Sequence, residues 1–541
     1  MSDFTGNILS YDIVIAGGGF AGAHCAQRLG RLLGPEAARR VALVSEDNVL
    51  AFQPMLAEVV GASISPLDVV MPLREFCESA QVLKGKITRI DLAEKIVELD
   101  AGLFTPNTIL NFKQLVLALG SVVDVSRVPG MAEHGYILKD TWDALKLRNG
   151  LVERLEEANL CVDAELKKRL LTFVIVGGGY SGVETAGQIL DLMQETKPLY
   201  HNLLDIPLRV VLVHSRSHLL PEIGERLGKY AEAKLRERGM EIQLNRRVQS
   251  VSARRAYLDD GSRIETHTVL STVGNAAHPL ITALCRTAGI ESSDGRIATD
   301  ACMRVKGQGN IWALGDCAAV PLNGAPSCPP TAQFALRQGI QVAHNIFDVS
   351  KNRAPRPFRY KSQGQLASIG HRKAVADIMG FQFSGFIAWF LWRTIYLSKL
   401  PSLQRKIRVM LAWTLDLFFS RDISVIRAES GELIQTMHFD TGDMIFQNND
   451  PYQSFYIVRQ GKIDYARTPI DHEMLEVGQI LGGPKFSRNS CWIGHALAAE
   501  PAIVTCVSRR VMQTLFAATD IARRFPEVHS ASESQATSKT P

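Results

Sequence analysis

Two stretches of this chain repeat one pattern, and the repetition constrains the fold more than composition does. The first, Tyr11–Leu29, reads YDIVIAGGGFAGAHCAQRL. Asp12 to Ala16 is a nearly continuous apolar run of strand length, and Gly17, Gly19 and Gly22 then fall in G-x-G-x-x-G spacing ahead of an Ala-rich helix. Gly17 permits a tight turn, Gly19 lets backbone approach a pyrophosphate with no Cβ in the way, and Gly22 lets the helix lie close to the strand. The free N–H groups of the first helical turn, beginning at Phe20 and Ala21, face the phosphates. The second stretch, Thr172–Ala186, reads TFVIVGGGYSGVETA, with Gly177, Gly179 and Gly182 in the same spacing. One glycine turn can serve plain backbone geometry. Two, each behind a strand, predict two dinucleotides: a flavin held permanently and a nicotinamide coenzyme that exchanges.

At 541 residues the chain exceeds a single core. With 46% apolar and 21% charged residues it belongs with soluble globular proteins, and its net charge of +5 implies no nucleic acid. The nine cysteines include no C-x-x-C or C-x₄-C pair, and the start, MSDFTGNILS, has no basic region ahead of an apolar one. Reduced thiols and a cytoplasmic protein are expected. No metal site is expected. No run of about 18 uncharged apolar residues occurs, so no spanning helix is expected.

Val41 to Val44 reads as the next strand, with Glu46 and Asp47 just beyond it. Glu46 is the better candidate to accept from an adenosine ribose. Lys84 to Asp100 alternates like a hairpin, and Gln114 to Ser121 is a buried strand whose end, Ala118 to Gly120, lets backbone approach a cofactor. Asp143 to Leu171 is a charged helical stretch, expected to be a solvated lead-in to the second domain. That domain runs through the strand Leu208–Val213 and returns at Thr268–Gly274, where Gly274 completes the coenzyme set. NIWALGDCAA at Asn310 is a strand ending in Gly315-Asp316, an acid able to accept from ribityl hydroxyls. In PPTAQFALRQG at Pro329, a helix begins near Thr331.

With these pieces in place the chain resembles the type II NADH:quinone oxidoreductases, single-subunit flavoproteins that carry electrons from NADH to membrane quinone. The resemblance covers roughly Asp12 to Arg427. Its carriers are GGGFAG at Gly17, SEDNVLAFQPML at Ser45, VPG at Val128, GGGYSGVETAG at Gly177, IWALGDCA at Ile311, PPTAQFALRQG at Pro329 and ASIGHRKAVADIMGFQFSGFIAWFLW at Ala367. It implies FAD in the first cradle and NADH in the second. It also implies quinone near the start of the TAQ helix, with Ala332 and Gln333 beside the flavin and Gln333, Arg337 and Gln338 as quinone candidates. Glu184 matches the acid that the family keeps by the nicotinamide; an acid facing the helix dipole is the alternative. The implied reaction sends a hydride from NAD(P)H to FAD and electrons on to membrane quinone, without proton pumping.

Two departures stand out. Arg337 replaces the first Gln of the family's A-Q-x-A-x-Q-Q-G, adding a charge that must be solvated or paired. The second domain's strand ends on His214 and Ser215, where the family carries an acid for the ribose, and Arg216 follows. That leaves NADPH open beside NADH.

Phe381 to Ser420 is rich in bulky apolar residues and carries Arg393, Lys399, Arg405, Lys406 and Arg408 against the single acid Asp416. Such helices are expected to lie in an anionic membrane surface, with the catalytic core or a second subunit of a homodimer as the other surfaces they could cover. From about Gly431 short strands take over, resembling the cyclic-nucleotide-binding β-roll through TGDMIFQNNDP, SFYIVRQGKID and LEVGQILGG. Gly482, Gly483 and Pro484 stand where that fold places its Gly-Glu pair, and Pro501-Ala502 where it places its Arg, so no cyclic nucleotide is expected.

The expected fold class is α/β: two Rossmann-like dinucleotide-binding domains for FAD and NAD(P)H, then amphipathic helices and a C-terminal β-roll. The expected division is residues 8–140 with 276–380 for FAD, 141–275 for NAD(P)H, 381–428 for the membrane-associating helices, 429–525 for a separable β-roll and 526–541 for a disordered tail. The expected place is peripheral, on the cytoplasmic side of the inner membrane. Two rival functions follow from the same features. A sulfide:quinone oxidoreductase would need paired cysteines by the flavin, and neither Cys161 nor Cys317 has a convincing partner. A redox sensor would relay flavin state through the β-roll.

Overall fold

The computed structural model describes residues 7–101, 105, 107–322, 327–425, 434–448, 450, 454–468, 471–482 and 492–508. Gly483, Pro484 and the tail lie outside the described residues. Strand Asn7–Ala16 sits in a seven-stranded sheet between Val41–Ser45 and Thr108–Leu117, parallel to both. Ile13 to Ala16 are buried, as a parallel strand covered on both faces requires. The expected hairpin is present as Lys86–Asp91 antiparallel to Ile96–Asp100. Thr172–Val176 is the middle strand of a second, five-stranded parallel sheet, between Thr268–Ser271 and Arg209–His214.

Three expectations need correction. The charged stretch 143–171 forms helices Thr141–Leu160 and Ala164–Leu170, and the first buries Ala144, Leu147, Leu151, Leu155 and Ala158 in the core. Its charges mask an apolar stripe at helical spacing, so it is a packed element and not a solvated lead-in. The boundary drawn at 381 falls inside a sheet: Phe381–Ser384 pairs with Ala374–Ile378, which pairs with Gly364–Ser368. This sheet and the helices Gly385–Lys399 and Leu403–Leu415 bury Ala367, Val375, Ala388, Trp392, Val409 and Trp413 in one core with Leu147, Ile189 and Leu219. The β-roll is not free of the rest, because Ala253 packs against its core and Arg255 Nη1 lies 2.8 Å from Asp443 Oδ1. Among the described residues its eight strands form two four-stranded antiparallel sheets.

Polar contacts fasten the two C-terminal helices. Trp413 Nε1–H donates to Glu58 Oε2 at 2.7 Å, and the buried Arg421 donates to Gly61 O at 2.7 Å and pairs with Asp191 at 3.3 Å. Buried ions held this way resist displacement, since breaking one pair strands a charge.

Candidate functional site

The two glycine turns have matching geometry. Gly17 has φ +114° and Gly177 φ +111°, a region that favours glycine. A Cβ on Gly22 would meet Gly17 O at 1.9 Å, and one on Gly182 would meet Gly177 O at 1.9 Å, so both helices press on their own turns. At Gly19 a Cβ would meet nothing within 4 Å, and at Gly179 only Glu222 Oε1 at 4.0 Å. Space in front of the helix terminus, with no side-chain cap on either first turn, fits a pyrophosphate in each cradle.

Several predicted residues converge on the first cradle. A Cβ on Gly17 would strike Ala118 O at 2.3 Å, placing that strand end against the turn. Gly120 has φ +70° with open space beside it. A Cβ on Gly315 would lie 3.1 Å from that of Ala21, and one on Gly339 would meet Ala21 O at 2.2 Å. The TAQ helix, Ala332–Ser350, is thereby packed on the first cradle helix, Phe20–Leu33. Ser121 Oγ–H donates to Asp316 Oδ2 at 3.3 Å, and Lys139 Nζ donates to Ser121 at 3.1 Å. Glu46 is exposed just past the strand end Ser45.

Other predicted residues have different roles. Gln338 is 1% exposed and its Oε1 accepts from Gly315 N–H at 2.7 Å, so it positions the Gly-Asp turn. Gly274, φ +90°, packs against Asp124 O, where the chain crosses between units. Glu184 is the fifth residue of its helix, Tyr180–Thr196, which excludes the first-turn dipole role. It is 8% exposed, and its Oε1 accepts from Ser368 N–H at 3.0 Å and Trp392 Nε1–H at 3.1 Å. Burial pushes its carboxyl up to about 8.

Strand Gly364–Ser368, which sequence reasoning passed over, joins both sites. Gln333 Nε2–H donates to Gly364 O at 3.2 Å, Tyr180 O–H donates to Gln365 Oε1 at 2.8 Å, and Ser368 N–H donates to Glu184. Tyr360 O–H donates to Gln333 Oε1 at 3.1 Å, and the Arg337 guanidinium lies 4.1 Å over the Tyr360 ring while donating to Gln333 O at 2.9 Å. The added charge of Arg337 is thus met by a ring face and a carbonyl. Aromatic contacts run from Phe20 through Phe52 to Tyr396 and Trp392 on the helix Gly385–Lys399. Only the sequence signal FQP at Phe52 hinted at them.

On the outer face of the two C-terminal helices Phe386, Ile387, Phe390, Leu403, Met410, Leu411 and Leu415 are exposed, and Phe418 beyond them is 77% exposed. Arg393 is not among the outward charges: it lies 4.1 Å over Trp389 and 4.6 Å over Trp413, and burial lowers its pKa. Arg408 approaches Asp68 at 3.8 Å. Among the described residues no helix is long and apolar enough to cross a membrane and no metal cluster is present. Every described cysteine is free, and burial pushes the Cys317 thiol up to about 11.

The pyridine nucleotide-disulphide oxidoreductase family model matches residues 11–344, the NDH2 C-terminal domain model residues 362–422, and the cyclic nucleotide-binding domain model residues 436–519. The chain is 32% identical over 421 residues to the type II NADH:quinone oxidoreductase Ndh of Mycobacterium tuberculosis, covering 76% of this chain and 88% of that one. It is 27% identical over 419 residues to an internal alternative NAD(P)H-ubiquinone oxidoreductase of Arabidopsis thaliana mitochondria, covering 71% and 81%. NDH2 of Plasmodium falciparum, solved with NADH, superposes with a TM-score of 0.70 at 19% identity, covering 76% of this chain and 99% of that one. The chain belongs to the type II NADH:quinone oxidoreductases, within the pyridine nucleotide-disulphide oxidoreductase family.

Proposed function

We infer that the chain is an NADH:quinone oxidoreductase that holds FAD in the first cradle, takes NADH in the second and pumps no protons. The observation that carries this reading is the strand Gly364–Ser368, tied at one end to the TAQ helix through Gln333 and at the other to the second cradle helix through Glu184. The N–H groups of Phe20 and Ala21 and the open face of Gly19 hold the FAD pyrophosphate, Glu46 its adenosine ribose and Asp316 its ribityl chain. FAD held there would supply the redox chemistry, hydride acceptance from nicotinamide and two-electron reduction of quinone.

The chain's own residues position and protonate. Gln333 is engaged at both amide atoms, so it fixes the start of the TAQ helix. Arg337 has one donor engaged and others free for a quinone carbonyl. Glu184 holds a proton at neutral pH on Oε2, since Oε1 accepts both of its hydrogen bonds.

The exposed apolar row on the helices Gly385–Lys399 and Leu403–Leu415, flanked by Arg405 and Lys406, lies in the membrane surface. Quinone then enters beside Phe52 and Tyr396, from a membrane on whose cytoplasmic side the protein rests. The β-roll is structural: Ala502 is buried and pairs with Phe439 where a cyclic phosphate would need a cation. Steady-state NADH oxidation tests the reading. The rate should saturate with a soluble quinone, and a rate indifferent to quinone would contradict it.

A further inference from the structure

The two cradles can be laid in register by their own hydrogen bonds. Gly17 N–H donates to Val44 O at 2.9 Å, and Gly177 N–H donates to Val213 O at 2.9 Å. A Cβ on Gly18 would meet Ser45 Oγ at 2.3 Å, and one on Gly178 would meet His214 Cγ at 2.7 Å. Ser45 is therefore equivalent to His214, Glu46 to Ser215 and Asp47 to Arg216. Where the first cradle offers two carboxylates beyond its strand, the second offers a hydroxyl and a guanidinium.

The neighbourhood keeps that contrast. His214 Nδ1 accepts from Gly178 N–H at 3.0 Å, so the ring is neutral; burial, Arg216 and His218 all hold its pKa below the ordinary value. Its Nε2 is buried without a partner. Ser215, Arg216 and Ser217 are exposed, and among the described residues the Arg216 guanidinium has no ion pair or hydrogen bond. Asn245 N–H pins this loop by donating to Arg216 O at 3.1 Å, and Arg246 N–H by donating to His214 O at 3.1 Å. Acids around this loop are otherwise placed: Asp260 pairs with Arg246 at 3.0 Å, Glu225 pairs with Lys229 at 2.6 Å, and Glu222 stands by Gly179, on the pyrophosphate side. In a Rossmann unit the adenosine ribose lies beyond the end of this strand. A free 2′-hydroxyl finds no carboxylate there, whereas a 2′-phosphate finds a cation and a hydroxyl.

We propose that the second cradle also takes NADPH, with Ser215 and Arg216 as the 2′-phosphate site. The proposal rests on the second cradle being the coenzyme site. The reaction balances as NADPH, a proton and quinone giving NADP⁺ and quinol.

Calorimetry on the full flavin-loaded protein tests it with adenosine 2′,5′-bisphosphate and 5′-AMP, beside kcat/KM for NADPH and NADH. The bisphosphate should bind roughly ten- to a hundredfold more tightly than 5′-AMP, the span of one or two charge-assisted contacts. Arg216→Ala should collapse that advantage and lower the NADPH/NADH ratio by a similar factor, Arg216→Lys should keep part of both, and Ser215→Glu should reverse the preference. Equal binding of the two nucleotides by wild type would overturn the proposal, as would an advantage that survives Arg216→Ala. Quinone reduction by NADH in the same preparation separates the two readings: its absence removes the oxidoreductase, while its presence without a 2′-phosphate advantage removes only this site.

Discussion

The two cradles turn alike, φ +114° at Gly17 and +111° at Gly177, and differ in what closes over them. The first is covered by segments from far along the chain: the Ala118–Gly120 strand end, the Gly315-Asp316 turn and the TAQ helix. The second shares the open space at its middle glycine and differs in the short exposed loop past its strand end, Ser215 to Ser217. A glycine turn selects a pyrophosphate, and the segments brought over it decide whether the ligand stays or exchanges.

The largest effect should come from breaking each turn separately. Gly19→Val puts a side chain where the pyrophosphate lies and should give colourless protein; a mutant with full flavin absorbance would contradict the first cradle's assignment. Gly179→Val should stay yellow yet lose bleaching by NADH. If it too were colourless, the contrast between a held and an exchanging ligand would fail. Next in size is attachment through the helices Gly385–Lys399 and Leu403–Leu415. Phe386→Ser with Phe390→Ser, or Arg405→Glu with Lys406→Glu, should release the protein from anionic vesicles, read by co-sedimentation at low salt. Unchanged binding would place the membrane contact elsewhere.

A smaller effect is expected at Arg337, where Arg337→Gln removes a donor and its stacking on Tyr360. The quinone KM should rise several-fold while the NADH KM holds, and the reverse pattern would move quinone away from the TAQ helix. The smallest concerns Glu184 and pH. Its carboxyl rises from 4.5 when unfolded to about 8 when folded, so folding takes up a proton between those values. Stability therefore falls as pH rises through that window and levels above it. Glu184→Gln keeps both acceptor bonds and should flatten that fall, seen as a smaller difference in Tm between about pH 5 and about pH 9. An unaltered slope would mean that Glu184 is not the group titrating.

Local pattern was legible and long-range closure was not. Gly17, Gly19 and Gly22 announce a turn because strand, turn and helix are contiguous, and the Lys84–Asp100 hairpin shows in its alternation. The helix Thr141–Leu160 reads as solvated from sequence because its charges outnumber the buried stripe of Leu147, Leu151 and Leu155. Gln338 and Gln333 look alike on one helix, but five residues carry the chain about 140° past a full turn, which buries the first under Gly315 and leaves the second half-exposed. The bridging role of Gly364–Ser368 rests on Tyr180, Glu184 and Gln333, which come together only in the fold. Arg393 was counted as an outward charge because sequence does not say that two tryptophans enclose it.

The central claim is that the first cradle keeps its flavin while the second exchanges NADH on the way to quinone. Rapid mixing of the yellow protein with NADH without oxygen, followed by a second mix with soluble quinone, tests it most directly. Fast loss of flavin absorbance is expected with one NADH oxidised per flavin, then full recovery at a rate proportional to quinone concentration, with no flavin released into a filtrate. Bleaching that quinone fails to reverse, or flavin appearing in the filtrate after turnover, would contradict it.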